Sequence, residues 1–100
     1  MLLFKTYQLS SRPEQEQEND VAVMEEQLHK LIIWNDDVNT FDWVIESLMA
    51  ICDHSFEQAE QAAMLIHYKG KYAVKHGDLD TLLIMCEALI DRGINATIDD

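Results

Sequence analysis

From Gln27 onward the hydrophobic period of the chain alternates between that of a strand and that of a helix, and no other feature narrows the fold as much. Leu28-His29-Lys30-Leu31-Ile32-Ile33-Trp34 is rich in β-branched and aromatic residues and reads as a strand entering the core. Asn35-Asp36-Asp37-Val38-Asn39 breaks it. Phe41, Val44, Ile45, Leu48, Ile51 and Cys52 then recur at three and four residues, one apolar helical face running to about Asp53. Asn39 or Thr40 caps that helix, and Asp42 sits in its first turn, where a negative charge meets the exposed amides. Ser55 with Gln58 is a capping-box pair, and Phe56, Ala59, Ala62, Ala63 and Ile66 carry a second helix to Gly70. Lys71 to Lys75 reads as a short strand, and Gly77-Asp78 turns the chain. Leu79, Leu82, Leu83, Cys86, Leu89 and Ile90 line a third helix closed by Gly93, and Ile94 to Ile98 reads as a half-buried last strand. The class expected is α+β: a small antiparallel three-stranded sheet packed against three helices, in the order β-α-α-β-α-β.

A chain of 100 residues has room for one domain and one core. Residues 1–26 carry the sole proline, Pro13, and the run Glu14-Gln15-Glu16-Gln17-Glu18-Asn19-Asp20, so they read as a flexible acidic extension; residues 27–100 form the folded domain. Nineteen acidic against seven basic side chains give a formal charge of -12. Such a field repels phosphate backbones and anionic lipid, so nucleic acid and membrane are poor partners, while cationic peptides, protonated amino termini or a basic patch on a larger protein are favoured. Cys52 and Cys86 lie inside apolar helical patterns without a CxxC, which reads as buried reduced thiols. The apolar start, Met1-Leu2-Leu3-Phe4, is too short for a signal peptide and no stretch is long enough to span a bilayer, so a cytoplasmic location is expected.

The chain contains no nucleophile motif, phosphate-binding loop or HExxH, and His29, His54, His67 and His76 lack metal-ligand spacing among themselves or with the cysteines. Neither an enzyme nor a cofactor is implied. Two short segments stand out. Asn35-Asp36-Asp37 follows a strand and precedes a helix, which turn chemistry and capping explain by themselves. His67-Tyr68-Lys69-Gly70-Lys71 closes the second helix, where cationic residues offset the macrodipole.

Together the two segments point further. Trp34-Asn35-Asp36-Asp37-Val38-Asn39-Thr40-Phe41-Asp42-Trp43-Val44-Ile45, followed after an alanine-rich helix by His67-Tyr68-Lys69-Gly70-Lys71, resembles the ClpS family, adaptors of the bacterial N-end rule pathway. The family pattern is an NDD-x-T-P-M-E-F-V-type segment and then a helix ending in H-x-x-G-(K/R). The likeness is best from about Leu28 to Lys71. It implies an adaptor that binds the free N-terminal residue of substrate proteins, large and hydrophobic, and delivers them to a Clp AAA+ unfoldase, whose N-terminal domain binds the adaptor. By position it implies that Asn35, Asp36 and His67 bind the amino group, that Asn39, Phe41, Val44, Ala63, Ile66 and Ile94 surround the side chain, and that Asp37 lies at the rim. The chemistry is coherent without the family: an ammonium has three donors, and an amide oxygen, a carboxylate and a neutral imidazole nitrogen supply three acceptors.

The departures bear on specificity. Asn39 stands where the family has threonine, Thr40 where it has proline, and Phe41 and Ala63 where it has pocket methionines. A methyl at Ala63 opens the cavity toward broader acceptance, Ile and Val included; a stiff ring at Phe41 refills space and works against β-branched residues. The sequence does not choose between them. The alternative to the adaptor reading is a generic acidic interaction domain of ribosomal-stalk type, which has no reason to carry the Asn35-Asp36-Asp37 and His67 set.

Overall fold

In the computed structural model, which describes residues 28–99, strand β1 (His29–Trp34) occupies the middle of a sheet ordered β2-β1-β3. It runs antiparallel to both β2 (Lys71–Gly77) and β3 (Ala96–Asp99). The helices are α1 (Phe41–Cys52), α2 (Phe56–Lys69) and α3 (Leu79–Asp91), so the order β-α-α-β-α-β and the α+β class are those expected. The extension expected over residues 1–26 lies outside the described residues.

Each helix starts where a side chain can satisfy its first amides. Thr40, not Asn39, caps α1 by accepting from the Trp43 N–H. Ser55 and Gln58 cap α2 reciprocally, and Asp78 caps α3 by accepting from the Thr81 N–H. Helix α1 ends on Asp53 in the left-handed region at φ 60°, and α2 ends on Gly70 at φ 90°. The α1–α2 connection is only Asp53-His54-Ser55, which forces the two helices antiparallel side by side.

The core lies between the sheet and the helices. Leu31 and Ile33 of β1 meet Leu48 and Cys52 of α1, Leu82 and Leu89 of α3, and the alanine stripe Ala59, Ala62 and Ala63 of α2. Small side chains let α2 approach its neighbours closely. Both cysteines are buried and free, and burial pushes the Cys52 thiol up to about 11.

Strand β2 runs two residues past the expected Lys75. The register shifts between Leu31, opposite Lys75, and Ile32, opposite Ala73, so Val74 is an extra, buried residue. An inserted residue spoils the period-two pattern by which a strand is read, which is why the sequence ends β2 early. The last strand begins two residues later than expected because Ile94 N–H still bonds to Leu89 O, holding it to the end of α3.

Candidate functional site

The loop between β1 and α1 is fixed at both ends by other parts of the chain. Trp34 N–H donates to Asn95 O and Asn35 N–H to Gly70 O, each at 2.9 Å, so the start of the loop is held against the end of α2. Asp36 then folds the loop on itself: its Oδ1 accepts from the amides of Val38 (2.9 Å) and Asn39 (2.8 Å). Its Oδ2 accepts from Asn39 Nδ2 at 2.8 Å. Asn39 spends its second amide hydrogen on Gly93 O at 2.9 Å, tying the loop to the turn after α3. These hydrogen bonds, the one from the Asn39 backbone foremost, hold the Asp36 carboxyl below its ordinary value despite partial desolvation.

Helices α1 and α2 complete the site. Their antiparallel pairing sets Phe41, at the start of α1, against His67, near the end of α2, with ring centroids 6.0 Å apart at 79°. His67 also stands edge-on to Tyr68, 5.2 Å away. Between the loop and these helix ends lies a cavity of about 270 Å³. Asn35, Asp36, Asp37 and His67 are among its polar lining; Phe41, Val44, Ala63 and Ile66 supply its apolar walls, with Asn39 and Thr40 at the loop side. A smaller hollow of about 20 Å³ shares Asn35, Asp36, Asn39, Val44 and Ile66 and is the one that Ile94 lines. All ten residues singled out from the sequence therefore border the cavity or its adjoining hollow.

Chemically, the site offers a ring of acceptors over an apolar floor. Among the described residues, neither the Asn35 side chain nor the His67 ring has a hydrogen-bond partner, whereas Asp36 has committed three of the about four lone-pair positions of its carboxylate. Phe41 is 42% exposed at the mouth, not buried in the apolar face of α1 as its spacing suggested. Thr40 was foreseen only as a cap, and it lines the cavity as well. Asn39 was expected in the side-chain pocket; it borders it, but its amide is also the clamp between loop and α3. The Asn-Asp-Asp-x-Asn spacing carried the signal for the turn, since Asp36 reaches amides two and three residues on.

Known proteins resemble the chain along this same stretch. The profile of the family described as ATP-dependent Clp protease adaptor protein ClpS matches residues 24–96. The adapter protein ClpS of Campylobacter jejuni is 46% identical over 46 residues, 46% of this chain and 48% of that protein. That of Nautilia profundicola is 37% identical over 57 residues, 57% and 59% of the respective chains. The chain thus spans about half the length of the first of these relatives. Among solved structures, Agrobacterium tumefaciens ClpS2 bound to L-phenylalaninamide has the same fold, with a TM-score of 0.68 at 23% identity over 73% of this chain and 95% of that one.

Proposed function

The chain belongs to the ClpS family of Clp protease adaptors, and from that premise we propose that it binds the free amino terminus of proteins beginning with a large hydrophobic residue and delivers them to a Clp AAA+ unfoldase. One observation carries the reading: Asn35, Asp36 and His67, from two separate elements, share the lip of one cavity with an apolar floor. A protonated amine at that lip has an amide oxygen, a carboxylate and an imidazole nitrogen to donate to. Its side chain enters between Val44, Ala63 and Ile66. The amine-bearing aromatic ligand of the ClpS2 structure has both halves of this chemistry.

The magnitudes suit such a role. Burying a Leu or Phe side chain contributes about 1.5 to 3 kcal/mol, and each charge-assisted hydrogen bond about as much. After the cost of association, micromolar to sub-micromolar affinity results, and neither half suffices alone. The N-terminal domain of the unfoldase is the partner to which loaded adaptor is handed, with the acidic extension engaging the unfoldase. Neither nucleic acid nor membrane has a part in it. The test is a titration with short peptides starting with Leu or Phe beside N-acetylated copies. Free-amine peptides should bind and acetylated ones should not; equal binding of both, or of neither, removes the reading.

A further inference from the structure

Asn39 has spent both hydrogens of its side-chain amide: Nδ2 donates to Asp36 Oδ2 at 2.8 Å and to Gly93 O at 2.9 Å. A carboxylate and a backbone carbonyl can only accept, so these partners fix which way the amide points. Its Oδ1 receives no hydrogen bond among the described residues. Asn39 is thus a clamped, half-buried side chain with one idle acceptor. Where it stands follows from the two hollows. The cavity of about 270 Å³ and the hollow of about 20 Å³ share Asn35, Asp36, Asn39, Val44 and Ile66. Of the residues peculiar to the cavity, Asp37, Thr40, Phe41 and His67 are exposed, whereas Ile33 and Ile94, which only the hollow touches, are 1% and 3% exposed. The cavity is therefore the outer chamber and the hollow its inner end, which has room for about one water-sized group.

We propose that the Asn39 amide oxygen accepts a hydrogen bond from the phenol of a captured tyrosine, and that the chain thereby selects amino-terminal tyrosine over phenylalanine. This deepens the amino-terminus reading and rests on it. With the ammonium at the lip beside Asn35, Asp36 and His67, an aromatic ring lies along Val44, Ala63 and Ile66, and its far end meets the hollow. A tyrosine hydroxyl is of the size that the hollow admits, and there it donates to Oδ1. A phenylalanine ring closes the same hollow and strips water from Oδ1 without replacing it, and a covered acceptor left unpaired costs more than a satisfied one. Because both Asn39 hydrogens are committed elsewhere, the amide cannot turn round to donate instead.

The experiment titrates the full chain with three fluorescent free-amine peptides that differ only in their first residue: tyrosine, phenylalanine or para-methylphenylalanine, which has the outline of tyrosine and no donor. Tyrosine should bind about tenfold more tightly than phenylalanine, the effect of satisfying one covered acceptor, and para-methylphenylalanine no better than phenylalanine. Equal affinity for tyrosine and phenylalanine, or para-methylphenylalanine binding as tightly as tyrosine, overturns the proposal. Asn39→Val removes the oxygen together with the clamp, so every affinity should fall, but the tyrosine-to-phenylalanine ratio should also drop to about one; a preserved ratio overturns it. NMR of the unsubstituted protein decides the matter independently of variant folding. The Asn39 Nδ2 resonance should move further with the tyrosine peptide than with the para-methylphenylalanine one, and equal movement with both overturns the assignment. If none of the three peptides binds, the amino-terminus reading itself has failed, whereas equal binding of all three refutes the role of Asn39 alone.

Discussion

Replacing Asp36 separates two jobs that one carboxylate performs. In the structure it accepts hydrogen bonds from Val38 N–H, Asn39 N–H and Asn39 Nδ2, which leaves about one lone-pair position for an incoming ammonium. Asp36→Ala removes both jobs: binding should fall by about 1.5 to 3 kcal/mol, roughly tenfold to 150-fold, and stability by about 1 to 2 kcal/mol once solvent screening of this partly exposed group is allowed for. Asp36→Asn divides them. Its carbonyl oxygen still accepts from Val38 and Asn39 amides, so the urea midpoint should fall less than in the alanine variant. Its NH₂ group, however, meets both Asn39 Nδ2 and the substrate ammonium as donor against donor, so affinity should fall nearly as far as in the alanine variant. The assay is fluorescence anisotropy with a Phe-starting peptide alongside urea denaturation. An asparagine variant that binds within about twofold of the unsubstituted protein would show that the carboxylate only shapes the turn.

Three further outcomes follow from the same geometry. If the His67 ring accepts from the ammonium, His67→Phe, which keeps an aromatic ring facing Phe41 and removes the acceptor nitrogen, should weaken binding of free-amine peptides by about tenfold; an unchanged affinity would make His67 structural. Ala63→Met should narrow the cavity and weaken binding of Trp-starting peptides by about tenfold while sparing Leu, and an unchanged ranking would remove Ala63 as a specificity determinant. Burial raises the Cys52 thiol from 9.0 to about 11, so the folded state holds that proton more tightly than the unfolded chain. Its stabilising contribution is complete below pH 9 and is lost as pH rises through 11, an alkaline slope in urea midpoints that Cys52→Ala should flatten; equal slopes would refute the assignment.

What the sequence made legible was local. The Ser55–Gln58 capping box, Gly70 as a helix stop and the strand-like run ending at Trp34 each depend on residues within a turn of one another, and the structure has them as read. What it hid was set by distant partners. Whether Asn39 or Thr40 capped α1 was undecided because the competing use of Asn39, its bond to Gly93 O, comes from 54 residues away. The same holds for Trp43, whose Nε1–H donates to Arg92 O while the Arg92 guanidinium lies over its ring. The candidate site residues were reached through resemblance more than through patterning, since Asn35-Asp36-Asp37 alone is also ordinary turn chemistry.

The lip of the cavity is stitched from three parts of the chain: the loop after β1, the end of α2 through Asn35 and Gly70, and the turn after α3 through Asn39 and Gly93. No such lip exists in an unravelled chain, so being folded and being able to hold a ligand are a single equilibrium. Ligand present at about a hundred times its dissociation constant then adds about 2.7 kcal/mol to the free energy of unfolding. An occupied molecule should melt later than an empty one, and heat that opens either seam should release the ligand.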